Sequence, residues 1–299
     1  YVTRNRFGQG SAGLRVWQTD VDYSTFLRED WDRFVYRTTD PRPPGQQYIT
    51  LTPDDINSVY GAEETSYAAY GEQVFEFADW DLRAGLRYDY DGFADESLIS
   101  PRLAANWRPE PDMRVSATAG VFYQSPRFLV RGANPENFAI ENERVTHVSV
   151  GFERYFGPDW SLLVEPYYQW LDNVIVEPER TSGRVTNDGD GTNLGLDVVL
   201  SRRFEDGWFG NVVYAYNDAR IDDNDGFGEY DADFNREHFF SIGGSWEISE
   251  RWKLGARWKW ATGRPTDDFI INSDVLGAGQ PLRYSKELTE QNALRLDDA

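Results

Sequence analysis

The chain has 299 residues, a formal charge of −21 and no cysteine. That excludes nucleic acid as a partner, for want of clustered Lys and Arg, and excludes disulfides, thiolate metal sites and thiol catalysis. Mean hydropathy is −0.64 and no run approaches the roughly 18 consecutive apolar residues of a membrane helix, so any membrane span has to be built from strands closed into a barrel.

Alternation and turn residues predict eleven strands, over 12–26, 64–77, 80–91, 98–108, 112–124, 144–156, 159–177, 192–203, 207–219, 235–247 and 250–262, with a twelfth beginning at Asn292 and almost no helix. In Trp80 to Tyr90 the even positions are apolar or aromatic and the odd ones charged or Gly, and in Arg251 to Trp260 Trp, Leu and Ala alternate with Arg, Lys and Gly. Successive strand side chains point to opposite faces, so each of these strands has one apolar and one ionic face. Further on, Met113, Val115, Ala117, Ala119, Val121 and Tyr123 oppose Arg114, Ser116, Thr118, Gly120 and Phe122. Aromatics stand at strand ends with aliphatics between, the pattern of two interfacial girdles around a hydrocarbon band.

From Ser66 onward the connections fall into two alternating classes. Short polar links occur at Phe77 to Asp79, Arg108 to Asp112, Phe156 to Asp159, Phe204 to Gly207 and Ser249 to Arg251, and mostly longer ones at 91–97, 125–143, 178–191, 220–234 and 263–291. A meander with tight turns at one rim and extended loops at the other predicts an all-β, antiparallel up-and-down transmembrane barrel. A propeller would show a blade-length repeat, and none is present. A sandwich rarely needs strands this long or loops sorted this way.

The segment Trp80 to Asp91 (WDLRAGLRYDYD), followed by Ser100 to Trp107 (SPRLAANW), resembles the barrel of TonB-dependent outer-membrane receptors, in which a strand ending in GxRYD leads through a loop to SPR. Ala119 to Pro126, Glu141 to Glu153 (ENERVTHVSVGFE), Asn187-Asp188-Gly189 leading into Gly195-Leu196-Asp197, Arg236 to Phe239 and Trp252 to Pro265 with its closing TGRP extend the resemblance over about 64–265. It implies a single barrel domain over 1–299, partial in that about 11–12 of an expected 22 strands are present. The family's plug and TonB-contacting segment are absent from this sequence, and Tyr1 without Met points to a processed chain or a fragment. The implied function is uptake of a scarce ligand energised by the TonB complex, which would act through that N-terminal region. Ferric siderophore is the default small ligand, and cobalamin or oligosaccharide stays open because net-negative loops attract anionic chelates poorly. The implied location is the bacterial outer membrane, with its lipid and lipopolysaccharide as surroundings. Two other readings remain open: a passive porin-like barrel, and a secreted Trp-rich carbohydrate-binding sandwich.

No catalytic constellation emerges, because the two histidines, His147 and His238, lie on different predicted strands. The ionic faces place Arg83, Arg87, Arg102, Arg114, Arg251, Lys253, Arg257 and Lys259 toward a wet lumen, paired with carboxylates on neighbouring strands or on a plug. Arg131, in the 125–143 loop, is the candidate for contact with an anionic ligand. Asp222, Asp223, Asp225 and Glu229 crowd oxygens into one loop, which as a solvated acidic loop needs no metal and as a cation site would suit calcium, although the spacing is not that of an EF-hand.

Overall fold

The computed structural model describes residues 2–27, 33–35, 49–51, 56–177, 184–226, 228–274 and 283–298. In chain order the strands are β1 (Val2–Asn5), β2 (Gly8–Leu27), β3 (Arg33–Val35), β4 (Ile49–Leu51), β5 (Ile56–Glu76), β6 (Trp80–Asp91), β7 (Glu96–Glu110), β8 (Met113–Gln124), β9 (Glu143–Phe156) and β10 (Trp160–Val176). There follow β11 (Thr186–Glu205), β12 (Trp208–Asp222), β13 (Tyr230–Asp231), β14 (His238–Ser249), β15 (Trp252–Ala261), β16 (Pro265–Asp274) and β17 (Arg283–Arg295). One antiparallel sheet takes β1, β2, β5 to β12, β14 and β15 in order, with β13 added to β12, while β3–β4 and β16–β17 form separate pairs. Every wall strand therefore lies beside its neighbour in the meander, as an up-and-down barrel requires.

Cross-strand partners share a face, so the register carries the alternation across the sheet. Ala84 pairs with Leu103, Leu103 with Ala119 and Ala119 with Val148, all on the apolar face. That face is bare: Leu14 is 86% and Val16 73% exposed, and Leu103, Val150 and Leu254 are exposed as well. Continuous exposed aliphatics on this scale belong against lipid rather than water. A small buried cluster, Val176, Ala219, Ile221 and Ala232, lies at the long-loop end.

Aromatic pairs mark both edges of the apolar band. Trp80 stacks on Trp107 at 5.5 Å near the tight turns, and Tyr67 stacks on Tyr90 at 4.7 Å near the long loops. Ten residues separate Trp80 from Tyr90, about 33 Å of strand, which a tilt of about 40° projects to roughly 25 Å, the height of the apolar band of such barrels. Beyond the tyrosines the strands continue. The β2–β5 ladder runs unbroken from Gly8 opposite Phe75 to Leu27 opposite Ile56, about 65 Å at the usual rise. On the face that bears Leu14 and Val16, the next residues outward are Gln18, Asp20 and Asp22, so this part of the ladder stands in water.

On the polar face, tyrosines cross to glycines on the facing strand. A Cβ on Gly195 would lie 2.0 Å from the Tyr167 ring, and one on Gly13 would lie 2.3 Å from Tyr70. Any larger residue at either position would push the ring off the wall.

All eleven expected strands are present, as β2, β5 to β12, β14 and β15. Three expectations are corrected. β1 was not anticipated, β5 starts at Ile56 rather than at 64, and the stretch 263–291 is no simple loop but holds β16 and most of β17, which begins at Arg283 and not at Asn292. β16 and β17 pair with each other, with register shifts, outside the main sheet. Their sequence carries no period of two to read: Phe269, Ile270 and Ile271 stand consecutively.

Candidate functional site

At the long-loop end of the polar face, the β8–β9 connection folds back against the wall. It contains a short helix α1 (Phe128–Arg131) and a 3-10 turn (Pro135–Ala139). Phe128 meets Phe93 edge-on at 4.9 Å, Phe138 packs on Tyr60 at 4.8 Å, and Gly132 sits so close to Tyr23 that a Cβ would lie 2.2 Å from the ring. Asparagines fasten it: Asn137 donates from Nδ2 to the Val130 carbonyl at 2.8 Å and accepts from the Val185 amide at 2.9 Å, and Asn142 donates to Glu96 at 2.7 Å. Between this segment and β2, β5, β6, β7 and β8 lies a cleft of about 400 Å³, walled by Trp17, Arg87, Asp89, Arg102, Phe122 and Phe128 among others.

Arg131 closes the floor of the cleft and is 1% exposed. Its Nη1 donates to the Phe138 carbonyl at 2.8 Å and the Phe93 carbonyl at 3.5 Å, while Nη2 has no hydrogen-bond partner among the described residues. Burial pulls its pKa below the ordinary arginine value, against the fields of Tyr60, Asp91 and Glu96. Its charge therefore acts inside the protein, holding the folded-back segment.

The wall cations divide into paired and unpaired. Arg87 makes a bidentate pair with Asp89 at 2.7 and 2.5 Å, Arg114 lies 2.6 Å from Glu153, Arg83 lies 3.8 Å from Glu72, and Lys253 is paired with Glu247. Arg102 has no carboxylate partner among the described residues; its guanidinium rests on the Phe122 ring, 4.8 Å from the centroid. Arg257 and Lys259 stand on β15, likewise without an ion pair among the described residues, and Arg251 lies in the turn before β15. Arg87 and Arg102 thus meet Arg131 at one cleft, and the other six of these cations lie elsewhere.

In the acidic loop the oxygens are turned to local partners. The Asn224 amide donates to Asp222 at 2.8 Å and its side chain to Asp190 at 3.0 Å, while the Tyr230 hydroxyl donates to Asp223 at 2.5 Å. Burial first, and then this hydrogen bond, push the Tyr230 phenol well above its ordinary pKa. Asp225 and Glu229 are exposed, and among the described residues no three His, Cys, Asp or Glu side chains converge as metal ligands. His147 meets Gln169 at 3.1 Å and His238 meets Tyr214 at 3.0 Å, both neutral partners.

One hub escaped the sequence reading. Arg295 of β17 donates from Nη2 to Asp231 at 2.6 Å and Glu237 at 3.0 Å, and from Nη1 to the Gly263 carbonyl at 3.3 Å. Asn292 donates to the Asp231 carbonyl at 2.7 Å and to Asp233 at 2.8 Å. Together they clamp the β16–β17 hairpin onto the β12–β14 connection. Only the density of Asp, Asn and Glu between 218 and 237 hinted at such an anchor.

The family model described as TonB dependent receptor-like, beta-barrel matches residues 1–284. The chain belongs to the TonB-dependent receptor β-barrel family. Among solved structures, the siderophore receptor PiuA from Acinetobacter baumannii is similar at a TM-score of 0.63 and 12% identity, covering 89% of this chain and 45% of that one. The outer membrane transporter YddB from Escherichia coli is similar at 0.59 and 14%, covering 97% and 44%. The ferric yersiniabactin uptake receptor FyuA from Yersinia pestis is similar at 0.60 and 12%, covering 85% and 39%. The chain spans less than half the length of each of these proteins. No curated protein sequence matches it. Membership in the TonB-dependent receptor family places the bare apolar face in outer-membrane lipid, and the family consists of transporters rather than enzymes. Among the described residues no helix is long and apolar enough to cross a membrane.

Proposed function

We propose that this chain forms wall and outer-loop structure of a receptor that captures a scarce, negatively charged aromatic metal chelate, a ferric siderophore, and moves it inward with energy supplied by TonB. On this reading the polar face lines the barrel interior, and the cleft at the long-loop end is where ligand meets the wall. The observation that carries it is Arg102, an exposed guanidinium seated on Phe122, with no carboxylate to displace among the described residues. A ligand approaching Arg87 would have to break a bidentate pair with Asp89; at Arg102 the charge is available without that loss. Trp17, Phe122 and Phe128 offer ring faces beside it, and a cation already resting on a ring keeps its outer side for an anion. PiuA, described as a siderophore receptor, and FyuA, described as a ferric yersiniabactin uptake receptor, support a ferric chelate as the ligand class.

The test uses the full-length receptor in iron-starved cells, offered radio-iron as catecholate, phenolate, hydroxamate and carboxylate chelates. Uptake of at least one chelate that ceases when TonB is deleted, and whose apparent affinity falls about tenfold in Arg102→Gln (a charge-assisted contact of roughly 1.4 kcal/mol), is the expected result. TonB-independent uptake would leave a passive barrel as the account. Equal affinity in Arg102→Gln would remove the cleft from it.

A further inference from the structure

We propose that His147 is a second ligand contact beside Arg102, a neutral donor that reads an uncharged carbonyl oxygen on the chelate whose anionic group Arg102 binds. This rests on the reading of the cleft given above and deepens it, by adding a residue that sets which anionic chelates are preferred.

The register builds the pair around one glycine. Gly120 on β8 stands opposite Arg102 on β7 and opposite His147 on β9. Both side chains therefore rise from the polar face one strand spacing from Gly120, with their Cα atoms about 10 Å apart. Gly120 leaves a gap that the Phe122 ring fills, since a Cβ on the glycine would lie 3.0 Å from Cε2 of that ring. The ring carries the Arg102 guanidinium 4.8 Å from its centroid and meets the His147 ring at 81°, with centroids 6.5 Å apart. Cation, ring and imidazole thus adjoin on one side of the wall, with His147 one strand further along than the cleft's own lining.

A chain of side-chain amides orients the imidazole. Asn193 donates from Nδ2 to the Gln169 side-chain oxygen at 2.9 Å, which leaves the Gln169 amide nitrogen to face Nδ1 of His147 at 3.1 Å. An amide nitrogen only donates, so Nδ1 accepts and the ring proton sits on Nε2. The two nitrogens of an imidazole point in nearly opposite directions. With Nδ1 turned along the wall to Gln169 on β10, the Nε2–H is turned back toward β8 and the space beside Arg102. Tyr167 stacks on the imidazole at 5.9 Å and is itself fixed by its hydroxyl, which donates to Asn217 at 3.2 Å. Nε2 has no hydrogen-bond partner among the described residues and is not sealed in the interior. An oriented, open N–H next to a guanidinium suits a group with two unlike acceptors. Arg102 meets the charged oxygen, and a carbonyl oxygen meets Nε2–H, which gives direction without a second charge. A catecholate joined to its backbone through an amide has both oxygens, whereas a bare catecholate has only the first.

The experiment measures binding to the purified full-length receptor of two hexadentate ferric tris(catecholate) chelates of equal charge, one with amide-linked arms and one with ether-linked arms that lack carbonyls. The wild type should prefer the amide chelate. His147→Phe keeps a ring between Phe122 and Tyr167 but removes the donor; it should weaken the amide chelate about fivefold, as loss of one neutral hydrogen bond does, and leave the ether chelate within about twofold of wild type. His147→Gln, which restores an N–H, should recover most of the loss, and Arg102→Gln should weaken both chelates about tenfold. No binding of the amide chelate by the wild type, a loss in Arg102→Gln with none in His147→Phe, or an equal loss of both chelates in His147→Phe would overturn this inference while leaving other chelates to the cleft. Equal affinity of Arg102→Gln and wild type for both chelates would remove the cleft from the account, and this inference with it.

Discussion

The face assignment underlies both the location and the cleft, and it makes a depth-graded prediction. Leu103 is 61% exposed on the apolar face, opposite Ala84, which lies four residues from Trp80 and six from Tyr90. With about 3.3 Å per residue and a tilt of about 40°, those separations project to roughly 10 and 15 Å from the two girdles. Leu103 therefore sits within about 3 Å of the midplane of a band roughly 25 Å tall. An arginine there should cost about 2–4 kcal/mol. Leu14 is also on the apolar face, but it pairs with Ala69, which pairs with Tyr88 at the outer girdle. Leu14→Arg should accordingly cost no more than about 1 kcal/mol. Ala104, next to Leu103 but on the polar face, should accept Gln at under about 1 kcal/mol, since lumen positions do not face hydrocarbon. Urea titrations of the full-length protein folding into phospholipid vesicles, read by tryptophan fluorescence and gel mobility, give the three values. Equal costs for Leu103→Arg and Leu14→Arg, or a Leu103→Arg cost below about 1 kcal/mol, would refute the assignment, and a larger cost for Ala104→Gln than for Leu103→Arg would invert it.

Three further outcomes follow from the long-loop end. Arg295→Met removes the charge-assisted bonds to Asp231 and Glu237 and should release the β16–β17 hairpin at a cost of about 1–2 kcal/mol after allowing for partial exposure, seen as faster hydrogen exchange in 265–295 with the wall strands unchanged; unchanged exchange would mean the clamp carries no weight. Arg131→Gln should loosen 125–142 by about 2–4 kcal/mol, because Asp91 and Glu96 lose a buried counter-charge, and protection equal to wild type would show that the segment holds itself. The Tyr230 phenol has a raised pKa when folded, so its contribution is fully present below the ordinary value of 10.0 and is lost as pH rises above it, where only the unfolded form ionises. Proteolysis of the 222–235 segment should therefore accelerate above pH 10 in the wild type, and Tyr230→Phe should flatten that dependence; identical profiles would place the switch elsewhere.

How far the fold could be read from the sequence depended on where lipid touches it. From Trp80 to Tyr90, hydrocarbon on one side and a polar space on the other force a period of two, and the strand is legible residue by residue. On β5 the expected strand began at 64 because Glu63 and Thr65 break the apolar series, yet the ladder continues to Ile56. Pairing there is held by backbone hydrogen bonds, and because the outer face no longer meets lipid, half of the alternation is lost even where the inner face is covered, as Tyr60 is by Phe138. β11, which starts at Thr186 rather than 192, and β12, which runs to Asp222 rather than 219, overran their expected ends for the same reason. Alternation thus recorded the membrane and not the hydrogen bonding, and the cleft lies toward the end where that record stops. The Arg87–Asp89 pair was within reach, since i and i+2 share a face. Arg102 over Phe122 needed the β7–β8 register, and the burial of Arg131 needed the fold of a connection fastened by the side-chain amides of Asn137 and Asn142. A site assembled from wet strand ends and a folded-back loop is fixed by register and by amide hydrogen bonds, so residue type could nominate Arg131 for a ligand while geometry gives its charge to the loop and leaves Arg102 facing the cleft.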